Sequence, residues 1–162
     1  MSAGEAHIGE LGGRVADQLV TPTLTVAGAY VSGDFVGTSA TPLAFATAVR
    51  ISGGSGIIHS AVLVDYAKQS IPIELWIFNA TFTPPADNAA WSISDADALK
   101  CIAVITFDTW FASALNSVSF IGNIGKAFKL SGVTALYGAL VTRGAPTYAT
   151  GDLSLTLNIL QD

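Results

Sequence analysis

The sequence predicts an all-β protein, an antiparallel β-sandwich of the jelly-roll type with one short helix in a long loop. From Thr21 onward, short β-branched apolar runs alternate with breaks of Gly, Pro, Asn and Ser, and no strand-helix alternation is present. The length of 162 residues fits one domain. An immunoglobulin-like sandwich is the alternative, although the Cys…Trp…Cys spacing typical of that fold is missing.

Nine segments have the pattern of strands. The C-terminal segment is the clearest, because its leucines and Ile159 alternate with Ser154, Thr156 and Asn158. Residues 71–79 are apolar on both faces apart from Glu74, which is typical of a strand covered on both sides. The predicted strands are 19–27, 43–52, 56–65, 71–79, 101–109, 118–122, 126–131, 134–143 and 153–160.

The breaks between these strands predict a hairpin, a long loop and a terminal arm. Glycines before Ile57 allow a tight hairpin, because glycine adopts positive φ at low cost. The long loop runs from Asn79 to Lys100, and its Ser94-x-x-Asp97 spacing predicts the start of a helix of about two turns. We expect residues 1–20 to be an extended N-terminal arm and residues 21–162 to be a single sandwich domain.

The composition favours a protein that contacts other proteins. Apolar residues make up 51% and charged residues only 12%, against an average charged content of about 25%. So few charges cannot cover the surface of one compact domain, so we expect a homo-oligomer or a docked subunit. The net charge is −5 and the seven cations are scattered, whereas nucleic-acid binding requires a basic patch. Nucleic acid is therefore not an expected partner.

No segment has the pattern of a membrane span or a signal peptide. The longest charge-free stretch, 109–125, is interrupted by Thr, Ser, Asn and Gly, whereas a spanning helix needs about 18 or more apolar residues in succession. The N-terminus has no basic region followed by an apolar one. We expect no membrane association.

His59, Ser60 and Asp65 contain the residue types of a catalytic triad but not its geometry. Successive side chains of a strand point to opposite faces, so Ser60 should face away from His59. Asp65 lies six residues further on, roughly 20 Å along a strand, while a triad needs contacts of about 3 Å. We therefore interpret the segment as a strand that is apolar on both sides, with Ile58 on the face of Ser60 and Leu63 on the face of His59.

Other chemical sites find little support in the sequence. Oxygen ligands of the long loop could be considered for calcium, but no EF-hand spacing is present and capping explains Ser94 and Asp97 more simply. The single Cys101 lies in an apolar run and is interpreted as a buried thiol. We expect no catalytic residue, no cofactor and no metal, and hence no enzyme. The oxygen ligands considered are those of Asp87, Asn88, Asp95 and Asp97.

Aromatic residues leave a carbohydrate-binding jelly roll open. Five of them could form a flat platform for a sugar ring, although packing in a core or an interface is the commoner role of such side chains. The five are Trp76, Trp91, Trp110, Phe111 and Tyr137.

Two long segments resemble structural proteins of tailed bacteriophages. The first, 27–79, contains Y-x-x-G-D-x-V-G, a glycine hairpin, V-x-x-D-x-A-K-Q and L-W-I-F; an S-D-A-D loop follows. The second, 136–162, begins with L-Y-G-x-L-V-T-R-G-A-P-T-Y. The similarity lies in the order of these elements and covers most of the chain after residue 27.

The resemblance implies a virion protein similar to capsid decoration, or cement, proteins. Such proteins bind the outer surface of the head, so the expected partners are the major capsid protein and further copies of the chain, as a trimer. The expected location is the capsid surface, after assembly in the host cytoplasm. A tail, adaptor or fibre subunit is the alternative within the virion.

Interface residues are expected in the arm and in the long loop. In the arm these are Ile8, Leu11 and Val15, and in the loop the aromatic side chains of Phe82 and Trp91, which we expect to be exposed. His59 is a further candidate, since a histidine between subunits could make assembly sensitive to pH.

Overall fold

The computed structural model describes residues 14–162, and in this part of the chain strands predominate. One short helix, α1, spans Asp95–Ala98. The strands are β1 Arg14–Val20, β2 Gly28–Ala29, β3 Phe35–Val36, β4 Leu43–Phe45, β5 Ser55–Asp65, β6 Ile73–Phe78, β7 Cys101–Phe107, β8 Phe111–Ala112, β9 Ser117–Ile121, β10 Lys126–Lys129, β11 Leu136–Thr142, β12 Thr147–Tyr148 and β13 Leu153–Gln161.

The strands form two main antiparallel sheets with the topology of a jelly roll, and the short strands β2 and β12 pair as a third sheet. Sheet I has the order β1-β13-β5-β9-β8, and β10 also pairs with β5. Sheet II has the order β3-β11-β6-β7, and β4 also pairs with β11. Along the chain, β1 lies in sheet I, β3 and β4 in sheet II, β5 in sheet I, β6 and β7 in sheet II, β8 to β10 in sheet I, β11 in sheet II and β13 in sheet I. This order is the double Greek key of a jelly roll and confirms the predicted all-β sandwich.

The main core lies between the two sheets. From sheet I it receives the alternate apolar residues of β13 and, from β5, Ile58, Ala61 and Leu63, which are fully buried. Sheet II contributes Leu75 and Leu140, which are paired across neighbouring strands. Complete burial of such a side chain contributes about 1.5–3 kcal/mol. The period of two along β13 therefore identifies the face of the strand that packs against the other sheet.

A second cluster covers the other side of sheet II. Phe82 of the long loop stacks on Phe78 of β6 with ring centroids 3.9 Å apart, and Trp91 of the loop lies 5.5 Å from Trp76. Trp76 pairs with Ala139 and alternates with core residues, so this cluster is on the sheet face that points away from the core. The long loop is therefore packed onto the sandwich as an additional layer.

Strand β5 contains a β-bulge that changes its two faces. Ser60 pairs with Asn158 and Ile58 pairs with Ile159, so His59 is an extra residue without a counterpart on β13. Because of this extra residue Ile58 and Leu63 both point into the core. The expectation that Ile58 shares a face with Ser60, and Leu63 with His59, is wrong for this reason.

The N-terminal boundary of the sandwich also differs from the prediction. Residues 14–20, expected to belong to an arm of residues 1–20, form the edge strand β1 and pair with β13 from Arg14 to Val20. The sandwich therefore includes residues 14–20 and does not start at Thr21, because these seven consecutive residues join the ladder. Residues 1–13 lie outside the described residues.

Other predicted elements agree within a few residues, with two exceptions. Of the predicted strand 19–27 only residues 19 and 20 are in a strand, as the end of β1, and of 43–52 only Leu43–Phe45 is a strand. Helix α1 is shorter than predicted, but its cap is confirmed, since the Ser94 side chain accepts a hydrogen bond from the Asp97 backbone N–H.

Candidate functional site

The structure separates the five predicted interface residues. Ile8 and Leu11 lie outside the described residues, and Val15 lies on β1 with 58% of its surface exposed. Phe82 was expected to be exposed, but it is only 5% exposed because the second cluster surrounds it. Trp91 is half-buried in the same cluster. The long loop therefore uses both aromatic rings in the protein's own fold, which the sequence reasoning missed.

Sheet I has a second face, which points away from the core and is called the outer face below. Its residues alternate with core residues along four neighbouring strands. The outer face consists of Val15, Asp17 and Leu19 of β1, Ser154, Thr156, Asn158 and Leu160 of β13, Ile57, His59, Ser60, Val62 and Val64 of β5, and Val118 and Phe120 of β9.

Two rows with mostly apolar side chains cross this outer face. The first row runs from Val15 through Leu160 to Ile57, which are cross-strand partners. The second row runs from Leu19 through Thr156 and Val62 to Phe120. Its β13 member, Thr156, is polar, and its ends are the most open, with Leu19 68% and Phe120 55% exposed. Each row crosses β1, β13 and β5, and the second reaches β9.

A polar stripe lies between the two apolar rows. The Asn158 amide donates a hydrogen bond to Asp17 Oδ1, and Ser60 Oγ donates to Asn158 Oδ1 at 3.0 Å. These bonds hold the three side chains in fixed orientations across β1, β13 and β5. The exposed His59 also projects from this face, because the inner face of the central strand β5 is filled by the core.

The outer faces of the two sheets differ in what covers them. The outer side of sheet II is covered by the long loop, through Phe82 and Trp91. Within residues 14–162, no comparable segment packs on the outer face of sheet I, where Leu19 and Phe120 remain open to solvent. Exposed apolar residues in continuous rows are typical of a protein contact surface.

Two clefts flank this surface. A groove of about 410 Å³, mostly apolar, lies at the end of the first row and is lined by Ile57, Phe128 and Leu160 among others. A polar cleft of about 470 Å³ separates β1 from residues 47–50. Gln18 crosses this second cleft and donates to Thr47 Oγ1 at 2.8 Å, so the cleft is part of the attachment of β1.

The residues of the supposed triad have separate partners. Ser60 bonds to Asn158, His59 is exposed, and Asp65 is fully buried. Asp65 Oδ2 accepts hydrogen bonds from the Ser70 backbone N–H at 2.8 Å and from the Tyr148 hydroxyl at 3.4 Å. Burial, together with the adjacent Asp65 carboxylate, raises the pKa of Tyr148 far above its usual range. This arrangement attaches loops to the sandwich and does not place a base beside a nucleophile.

The acidic residues of the long loop also have structural partners. Asp87 is buried and accepts hydrogen bonds from the Val26 N–H at 2.7 Å, the Gly37 N–H at 3.2 Å and the Tyr30 hydroxyl at 2.9 Å. Burial and the Asp87 hydrogen bond raise the pKa of Tyr30. In residues 14–162 no group of three or more His, Cys, Asp or Glu side chains is arranged to hold a metal ion.

Asp97 is engaged at the helix terminus. Its carboxylate accepts hydrogen bonds from Lys100 Nζ at 2.6 Å and from Ser94 Oγ at 3.0 Å. The Lys100 bond, followed by the Ser94 bond, lowers the pKa of Asp97. Capping thus accounts for the Ser94-x-x-Asp97 spacing.

Aromatic residues considered for carbohydrate binding do not share one surface. Trp76, Trp91 and Tyr137 pack in the second cluster on sheet II, and Trp110 packs against the main core. Phe111 is 67% exposed and lies beside the outer face of sheet I, where it pairs with Val118.

The sequence contained only a partial signal for the outer face. Strand β13 was expected to have a wetter face, and Ser154, Thr156 and Asn158 do lie there. Its apolar rows come from different strands, and only the register brings Leu19 and Phe120 into one row.

Neither a scan against models of protein families nor a search of the curated proteins finds a match. No helix within residues 14–162 has the length and apolar character needed to cross a membrane.

Proposed function

We propose that this chain is a structural subunit that functions through protein-protein contacts and, more specifically, a decoration protein of a tailed-phage capsid. One observation carries the proposal: the outer face of sheet I is crossed by apolar rows that nothing in residues 14–162 covers. Exposed apolar rows on a sandwich face are costly in a free monomer and are stabilised by contact with another protein surface.

The jelly-roll topology supports the assignment to a virion. This fold occurs in viral capsid proteins, as well as in lectins. The order of elements in 27–79 and 136–162 resembles phage structural proteins. Together these observations favour the head surface, with the major capsid protein and sister copies as partners and a trimer as the assembly that the resemblance implies.

A decoration protein would act by mass action. Because it binds the assembled shell and not the separated subunits, its binding free energy is added to the stability of the shell. A broad, largely uncharged surface suits this role, since the interaction requires contact area and no chemical step. The same logic applies to a tail, adaptor or fibre subunit, which differs only in the partner that it contacts.

Binding to capsids tests the proposal. We expect the purified chain to co-sediment saturably with capsids built from the major capsid protein encoded beside its own gene, and to raise the temperature at which those capsids fall apart. A chain that starts at Arg14 is the variant, because the predicted capsid contacts Ile8 and Leu11 are removed while the sandwich is retained.

The truncated chain should keep its unfolding midpoint and lose capsid binding. Equal binding by both chains would disprove the role of the N-terminal residues. Absence of binding by the full chain, with binding to purified tails instead, would move the protein to the tail. Absence of binding to either would disprove a virion role.

A further inference from the structure

We propose that the outer face of sheet I packs against the same face of a second copy, about a twofold axis that runs along β13. The proposal rests on the proposed function only in treating this face as a protein contact surface. It adds the identity of the occupant and the pairing of the strands.

The size of the outer face is suitable for such a contact. Strands lie about 4.8 Å apart and rise about 3.3 Å per residue. The three strands that overlap about an axis along β13, namely β1, β13 and β5, therefore cover roughly 14 by 30 Å. Two copies would bury on the order of 900 Å² in projection, and side-chain relief increases the accessible area toward the lower end of the range of about 1,200–2,000 Å² that stable interfaces bury. The contact is thus a small interface, and β9 lies outside it.

The charge of the face favours a second copy over a charged partner. Asp17 is the only carboxylate among the outward residues of β1, β13, β5 and β9 named above, and none of them is Lys or Arg. On these four strands a basic partner would find one carboxylate and an acidic partner no cation; the exposed Lys129 of β10 lies at the end of β5, outside the overlap about β13. A second copy brings an equally uncharged face, so few charges lose their water.

A twofold axis along β13 makes the outer face complementary to itself. The axis places β13 on its own counterpart and β1 over β5 of the second copy, while residues of one row remain in that row. Val15 then lies over Ile57, Leu19 over Val62, and Leu160 against Leu160 of the other copy. Two sheets pack about 10 Å apart, and about an axis along β13 their strands are aligned, so the apolar rows can interdigitate at that spacing.

The polar stripe is also complementary under this axis. Asp17, which accepts one hydrogen bond from Asn158, lies over the stripe position of β5 in the second copy, where the bulge presents His59. An imidazole N–H can donate to the free lone pairs of the carboxylate. The bulge therefore has a function in this arrangement, because it places a hydrogen-bond donor on the outer face opposite the lone carboxylate.

The mass in solution tests the contact. We expect light scattering to give twice the chain mass of 16.6 kDa, in place of the trimer that the resemblance implies. Leu19→Asp should weaken association by about 100-fold or more, since it places a carboxylate in a buried apolar row. Val104→Asp, on an exposed apolar residue of β7 in sheet II, is the matched control and should leave the mass unchanged. Unchanged circular dichroism spectra verify that both variants fold.

A charge exchange tests the pairing of the strands. Asp17→Lys and His59→Glu should each weaken the dimer, because each removes the complementary pair, and the two changes together in one chain should restore it. Failure of the double variant to recover would disprove the axis along β13. Cross-linking through Leu160→Cys in a Cys101→Ser background gives a second measurement, as this residue meets itself across the axis.

The outcomes separate this inference from the proposed function. A monomer, or a trimer whose mass is insensitive to Leu19→Asp, would overturn the twofold contact even if the chain binds capsids. A dimer dissociated by Leu19→Asp supports the contact, even if capsid binding is absent.

Discussion

At the level of single residues, hydrogen bonds between buried tyrosines and aspartates attach the loops of this protein to its sandwich. Tyr30 donates to Asp87 and Tyr148 donates to Asp65, and all four side chains are almost completely removed from solvent. Asp87 also accepts from two backbone N–H groups, which would otherwise be buried without partners at a cost of about 1–3 kcal/mol each. Both acids are therefore structural, although the sequence alone allowed Asp87 to be considered as a metal ligand and Asp65 as a member of a catalytic triad.

The two tyrosines predict a loss of stability at alkaline pH. In the unfolded chain they ionise near pH 10, whereas burial raises the pKa of Tyr30 and of Tyr148 in the folded protein. Below about pH 10 neither state is ionised and this contribution is complete. Above it the unfolded state releases protons first, so the free energy of unfolding falls by about 1.4 kcal/mol per pH unit for each tyrosine.

Urea unfolding between about pH 8 and 11 measures this dependence. The double variant Tyr30→Phe/Tyr148→Phe should have a flatter profile above about pH 10. An equally steep decline in the variant and in the parent protein would contradict the assignment to these two residues.

At the level of elements, one extra residue in strand β5, His59, determines which side chains point into the core and which lie on the outer face. Without a bulge, Ile58 and Leu63 would point in opposite directions, since they are five residues apart. His59 has no counterpart on β13, so both residues reach the core. Ile57 and Val62 consequently lie on the outer face, one in each apolar row.

Deletion of His59 should therefore be tolerated. It leaves Ile58, Ser60 and Ala61 in regular alternation opposite β13 and removes one hydrogen bond, from the Ile124 N–H to the His59 carbonyl, so we expect a loss of about 1 kcal/mol. Deletion of Val62 is the matched control. It reverses the faces on one side of the deletion and should prevent folding.

Thermal unfolding followed by circular dichroism distinguishes the two deletions. A cooperative transition is expected for the His59 deletion only. Unfolding of both deletion variants would show that the bulge itself is required for the fold.

At the scale of the whole molecule, as far as residues 14–162 show it, the sandwich is covered on one side and uncovered on the other. The long loop covers sheet II, whereas β1 ends sheet I as an edge strand beside the uncovered outer face. Strand β1 pairs with β13 along its whole length, and Val20 packs against the core. It is therefore part of the domain and also provides one edge of the proposed contact.

Two truncations test this placement of β1. A chain that starts at Thr21 loses the seven-residue ladder and the cover of β13, so we expect a free energy of unfolding several kcal/mol lower than that of a chain starting at Arg14. Urea unfolding at equal protein concentration gives both values. Equal free energies of unfolding would show that residues 14–20 do not stabilise the fold, which is the behaviour expected of an arm.

The sequence by itself determined the fold class and most of the long strands. A period of two is visible wherever one face of a strand is buried, as along 153–160, and the structure has the strand at Leu153–Gln161. The cap at Ser94 was also readable, because it depends on residues only three positions apart.

Only the tertiary structure decided which apolar residues are inside. Two-residue strands such as Phe35–Val36 have no period to detect, and the bulge at His59 depends on the register with β13. Phe82 is buried because its loop folds back onto Phe78. The outer face arises in the same way, since Leu19 and Phe120 are distant in sequence and the ladders place them in one row. Burial is a property of neighbours, and here most neighbours are separated by many residues along the chain.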